Sequence, residues 1–104
     1  MKSRVYVVQE NNYVDYSDAE RFGEVIFMTH SELRPMAGSL GNEQIVERID
    51  FHLKDFCAED YLVLTGNPAT IGYAFHRAAQ RSDIVNVLLW DKMQGRYKSL
   101  AMGV

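Results

Sequence analysis

Cysteine is almost missing: Cys57 is the one thiol in 104 residues. A single thiol closes no internal disulfide, so a disulfide-stapled secreted scaffold is excluded. No apolar run approaches the roughly 20 residues that cross a bilayer as a helix, and no membrane partner is expected. Met1-Lys2-Ser3-Arg4 leads straight into Val5-Tyr6-Val7-Val8 with no leader-like segment, so a cytoplasmic location is expected. Basic residues are not in excess. The net charge of −3 argues against a general nucleic-acid binder, which needs a basic field to displace counterions. The chemistry-bearing motifs are also missing. There is no Gly-Lys-Ser/Thr phosphate loop, no three-glycine dinucleotide fingerprint and no Gly-x-Ser-x-Gly elbow. Neither Cys-x-x-Cys nor His-x-x-x-His occurs, and His30, His52, His76 and Cys57 are scattered, so no metal and no cofactor are expected.

What is present is apolar substance: 47% of the chain, enough for the core of one domain spanning residues 1–104. A chain this short still buries only about two-thirds of its unfolded surface. Charge is uneven. Residues 1–66 carry 6 Lys/Arg against 12 Asp/Glu, and residues 67–104 carry 5 against 2. The two ends can neutralise each other, or the asymmetry can steer a partner.

Val5–Val8 and Val25–Met28 read as strands, being β-branched and aromatic. Between them Ser17 and Glu20 have the spacing of a capping box, predicting a short helical turn that ends at Gly23. Residues 31–41, with Pro35, Gly38 and Gly41, read as a loop. Asn42 is positioned to cap a long helix in which Ile45, Ile49, Leu53 and Phe56 recur at helical spacing. Cys57 beyond it is expected to be a small buried side chain. Tyr61–Leu64 is a third strand. Gly66-Asn67-Pro68 then supplies a free turn, a cap and a first-turn proline. The helix that follows should bury Ile71, Ala74, Phe75 and Ala78. Residues 84–90 form a fourth strand. A loop over 92–95 returns a fifth, with Trp90 facing Tyr97 and Asp91 facing Arg96. Arg96 and Lys98 put charge on this edge strand and discourage stray pairing.

The order predicts a small Rossmann-like or flavodoxin-like three-layer α/β sheet, mostly parallel, with an antiparallel C-terminal edge strand. Two long helices are few for two sheet faces. Either residues 10–22 cover one face or a second subunit does, and a homodimer is expected.

Ligands in such sheets sit beyond the carboxyl ends of the parallel strands. Those ends supply Gln9, Glu10, His30, Thr65, Gly66, Asn67 and Asp91. The turn Thr65-Gly66-Asn67-Pro68 offers backbone N–H groups and a helix N-terminus to an anion, though any strand-to-helix turn favours the same residues. His30 and Asp91 make an acid–base pair only if strands two and four end side by side. On the second helix Tyr73, Arg77 and Arg81 share an outward side with a composition that binding hot spots favour.

Asp60-Tyr61-Leu62-Val63-Leu64-Thr65-Gly66-Asn67-Pro68, followed by Val87-Leu88-Leu89-Trp90-Asp91 and Arg96-Tyr97, resembles a group of short phage- and prophage-encoded proteins. In these an Asp-Tyr-Leu-x-Leu-x-Gly-Asp/Asn-Pro segment precedes a small helix, and a Leu-x-Trp-Asp hairpin closes the chain. The opening Val5-Tyr6-Val7-Val8-Gln9 and Gly23-Glu24-Val25-Ile26 fit the same pattern. The resemblance carries no catalytic residue over. It implies an accessory protein of host-takeover or anti-defence type, made in an infected bacterium and acting by binding a bacterial host protein. The alternative reading is a small-molecule or nucleotide binder at residues 65–68. A hydrolase or transferase using His30 and Asp91 is the third.

Overall fold

The computed structural model describes residues 3–30 and 40–104. In chain order the elements are β1 (Arg4–Gln9), a 3-10 helix (Ser17–Arg21), β2 (Glu24–Thr29), α1 (Leu40–Leu53), β3 (Tyr61–Val63), α2 (Pro68–Arg81), β4 (Ile84–Asp91) and β5 (Arg96–Gly103). The strands form one sheet in the order β2-β1-β3-β4-β5. All neighbours are parallel except β4 and β5. This is the mostly parallel α/β sheet with an antiparallel C-terminal edge that the sequence predicts. The order is that of flavodoxin-type doubly wound sheets, whose winding reverses between the first and third strands.

Alternate residues of each strand point to opposite faces, and each face has its own core. Tyr6, Val8, Met28, Leu62, Val85 and Val87 meet Ile45, Ile49 and Leu53 of α1 and Ala74 and Ala78 of α2. Val5, Val7, Val63, Leu88 and Tyr97 meet Tyr16 and Ala19. The second face is therefore covered by residues 10–22, one of the two covers expected. The small Ala74 and Ala78 let α2 lie close on the sheet, while fully buried Ile49 anchors α1. Truncating Ile49 to alanine would cost about 2–5 kcal/mol by the lost transfer energy and the cavity left behind.

Several local expectations are corrected. Ser17 does not cap: the 3-10 helix has Tyr16 at its N-cap and no side-chain cap bond. Asp15 accepts the Ser17 N–H instead, at 2.9 Å, because its carboxylate sits two residues ahead in Asx-turn geometry. Asn42 lies inside α1, which already includes Leu40 and Gly41. The rest of the predicted 31–41 loop lies outside the described residues. Cys57 is exposed, because α1 stops at Leu53 and the thiol sits in the following turn. β5 runs three residues beyond Leu100. The hairpin register is as predicted, with Trp90 opposite Tyr97 and Asp91 opposite Arg96. The rings of Trp90 and Tyr97 meet edge to face, centroids 5.0 Å apart. Asp91 forms its ion pair with Lys98 at 2.8 Å, not with Arg96.

Asp60 is the polar keystone of the helix-side loops. It is 4% exposed. One carboxylate oxygen accepts the Arg4 N–H at 3.0 Å, and the other the Cys57 N–H at 3.1 Å. It thereby joins the start of β1 to the turn between α1 and β3.

Candidate functional site

The winding reverses between β1 and β3, and the carboxyl ends of these strands lie side by side. Gly66 leaves β3 at φ +122°, a conformation that side chains rarely adopt. A Cβ there would also collide with the Gln9 side chain. Gln9 is buried, and its Oε1 accepts the Asn67 N–H at 3.0 Å. Asn67 in turn caps α2 by accepting the Ala69 N–H at 2.8 Å. Two of the donors that an anion at this turn would use are thus already engaged within the chain.

A hydrogen-bond chain ties the neighbouring segment down. The Asn11 N–H donates to the Tyr16 hydroxyl at 2.9 Å. The Thr65 hydroxyl donates to the Gln9 carbonyl at 2.7 Å. With its own proton committed, Thr65 Oγ1 is left to accept from the Tyr16 hydroxyl, 3.1 Å away. Residues 11–16 are so tied to the carboxyl ends of β1 and β3.

Beneath them opens a cleft of about 430 Å³, whose lining includes Val14, Val63, Thr65, Leu88, Trp90 and Tyr97. Its walls are mainly aliphatic and aromatic. Tyr13 and Asp15 also line it from the covering segment, and Tyr13 is 97% exposed. Trp90 is 47% exposed although it packs on Tyr97. Burial holds the Tyr97 hydroxyl above its ordinary pKa, helped by Tyr16, Asp15 and Asp18 nearby. The cleft is thus a mainly apolar recess with the Asp15 carboxylate in its lining and the exposed rings of Tyr13 and Trp90 beside it.

The model of the Phage Pam3 gp32-like protein family matches residues 3–104. The chain belongs to that family. It is accordingly a phage protein. No curated protein and no solved structure matches the chain.

Of the residues singled out in this family member's sequence, Thr65 lines the cleft, while Gly66 and Asn67 form the turn beside it. His30 and Asp91 are not brought together. β1 and β3 lie between β2 and β4, which separates those strand ends by about 14 Å at the usual strand spacing. His30 meets Glu10 at 2.7 Å, and Asp91 is taken by Lys98 and by the N–H groups of Met93 and Gln94. Among the described residues no group of His, Cys, Asp and Glu could hold a metal ion, and no helix is long and apolar enough to cross a membrane.

On α2, Tyr73 and Arg77 both donate to Asp50 Oδ1 of α1, at 2.7 and 2.6 Å. They stitch one helix to the other, and Arg81 alone of the three stands exposed. Sequence reasoning missed the cleft itself. Its walls come from four separate segments, and the one local signal was the tyrosine-rich stretch after β1.

Proposed function

We propose that this phage protein is an accessory factor that acts by binding a protein of the bacterial host, and that the cleft at the ends of β3 and β4 receives an apolar or aromatic side chain of that partner. The observation that carries the reading is an apolar recess flanked by the exposed rings of Tyr13 and Trp90. Protein-binding hot spots have this make-up: aromatic anchors around a pocket that desolvates fully on docking. Affinity capture from a lysate of the host, with wild type and Trp90→Ala side by side, tests it. A host protein captured by wild type and lost with Trp90→Ala is expected, since hot-spot truncation costs about 2 kcal/mol or more, roughly 30-fold in affinity. Equal capture by both variants would refute the reading.

A second reading has one observation in its favour: the cleft volume falls in the range of small-molecule sites, roughly 300–1,000 Å³. A ligand there would be largely apolar. Native mass spectrometry of gently purified protein separates the two, because a retained small molecule adds only a small fraction of the chain's own 11.9 kDa and a protein partner adds a mass on the scale of a whole chain.

A further inference from the structure

We propose that β5 is a homodimer interface, in which two copies join antiparallel through residues 99–103 into one ten-stranded sheet. The starting point is which backbone groups of β5 face outward. Tyr97 donates its N–H to Asp18 at 2.6 Å and its carbonyl accepts from Arg21. These groups therefore point away from β4. At the far end the Val104 N–H donates to the Asp83 carbonyl at 2.9 Å, so even-numbered residues bond to β4. N–H and C=O of one residue point the same way in an antiparallel ladder. Ser99, Ala101 and Gly103 accordingly present their backbone groups at the free edge, as Tyr97 does.

Asp18 and Arg21 act as a plug on the first outward position. An added strand can pair only beyond it, at Ser99, Ala101 and Gly103. The charges of β5 lie in the plugged half: Arg96 and Lys98, the latter already paired with Asp91. The open half is apolar or small, and unpaired edges of that kind are templates for strand addition.

The open half is complementary to itself. With the two-fold axis at Ala101, Ser99 faces Gly103 of the second copy and Leu100 faces Met102. Ala101 faces its own counterpart. Both outward-facing sets then bond in register, no like charges oppose each other, and neither plug is disturbed. An isologous contact needs this self-complementarity. On the helix side it would cover Leu100 and Met102, now 46% and 39% exposed, beside Leu89 at 48%. A foreign strand would have no reason to match this pattern.

Sedimentation and light scattering of the full chain at micromolar to 100 µM concentration test the proposal. Wild type is expected at twice 11.9 kDa. Ala101→Pro removes an outward N–H that β4 does not use, and edge strands tolerate proline there, so a folded monomer is expected. The double variant Leu100→Lys, Met102→Lys changes only exposed side chains and sets like charges opposite each other, so it too should halve the mass. Amide exchange supplies the register: Ser99, Ala101 and Gly103 should be protected in wild type and open in the double variant. A monomeric wild type would overturn the proposal. So would variants that stay dimeric, or a dimer in which those three amides exchange freely.

Discussion

Replacing Gly66 by alanine tests the account of the switch point in one step. Alanine at φ +122° is strained by roughly 1–3 kcal/mol. Its Cβ must also push Gln9 aside, which breaks the bond to the Asn67 N–H. An unmade bond at such a site costs about 1–3 kcal/mol. A total near 3 kcal/mol is expected, and for a domain of this size that lowers Tm by roughly 12–24 °C. Thermal unfolding followed by circular dichroism reads it directly. Gln9→Ala should cost about 1–2 kcal/mol alone, since only the acceptor is lost. In Gln9→Ala, Gly66→Ala the clash with Oε1 and Cδ is gone, the clash with the Cβ of residue 9 remains, and the bond to Asn67 is lost only once, so the pair should fall short of additivity by about 0.5 kcal/mol or more. A Gly66→Ala loss under about 0.5 kcal/mol, or strict additivity, would show that the glycine is not there for this close approach. The same variant bears on the anion reading. A turn that exists for packing loses stability, whereas a turn that exists for a ligand loses binding with the fold intact.

Other outcomes follow from the polar contacts. Asp60→Ala strips the acceptor from two backbone N–H groups and should cost about 2–5 kcal/mol in urea unfolding. Arg77→Ala breaks a third-exposed ion pair with Asp50 and should cost under about 1 kcal/mol in the same assay. Stability should fall as the solution is acidified. The Ser17 N–H holds Asp15, the Tyr97 N–H holds Asp18, and Lys98 holds Asp91, each below the usual carboxylate value of 3.8. At Asp50, burial works upward, but the bonds from Arg77 and Tyr73 outweigh it. These groups bind fewer protons folded than unfolded, so their contribution is complete above about pH 4 and is lost as pH drops through their folded values. Burial, with Arg48 nearby, lowers His52 below 6.5, which starts a smaller loss as pH falls past that value. Tm measured from pH 7 to pH 3 should trace both limbs, and a flat profile would contradict the assignments.

Much of the fold was legible because its signals are local. Val5–Val8 and Val25–Met28 are too apolar for anything but buried parallel strands. The Gly66-Asn67-Pro68 turn carries its own punctuation, and the pairs Trp90–Tyr97 and Asp91–Arg96 fixed the hairpin register. Helix starts were less legible. Ser17 had the right spacing for a capping box, but its own N–H, which Glu20 would take in that box, goes to Asp15. Asn42 is a good cap residue that α1 runs past. Strand order was not legible at all, and it decides the site. It separates His30 from Asp91 and brings Gln9 beside Gly66. Tyr73 and Arg77 read as a free surface because the sequence does not show that Asp50, on another helix, faces them. The cleft and the plug on Tyr97 depend on contacts between residues tens of positions apart, such as Asp18 with Tyr97.

The central claim is that the cleft mouth meets a host protein. Its most direct test places the photo-crosslinking residue p-benzoylphenylalanine at position 13, where the native side chain is 97% exposed. A second probe at position 47, on the exposed side of α1, serves as the control. Irradiation in host cells should join position 13, and not position 47, to one bacterial protein. Identical products from both positions, or no product beyond the chain itself, would contradict the account.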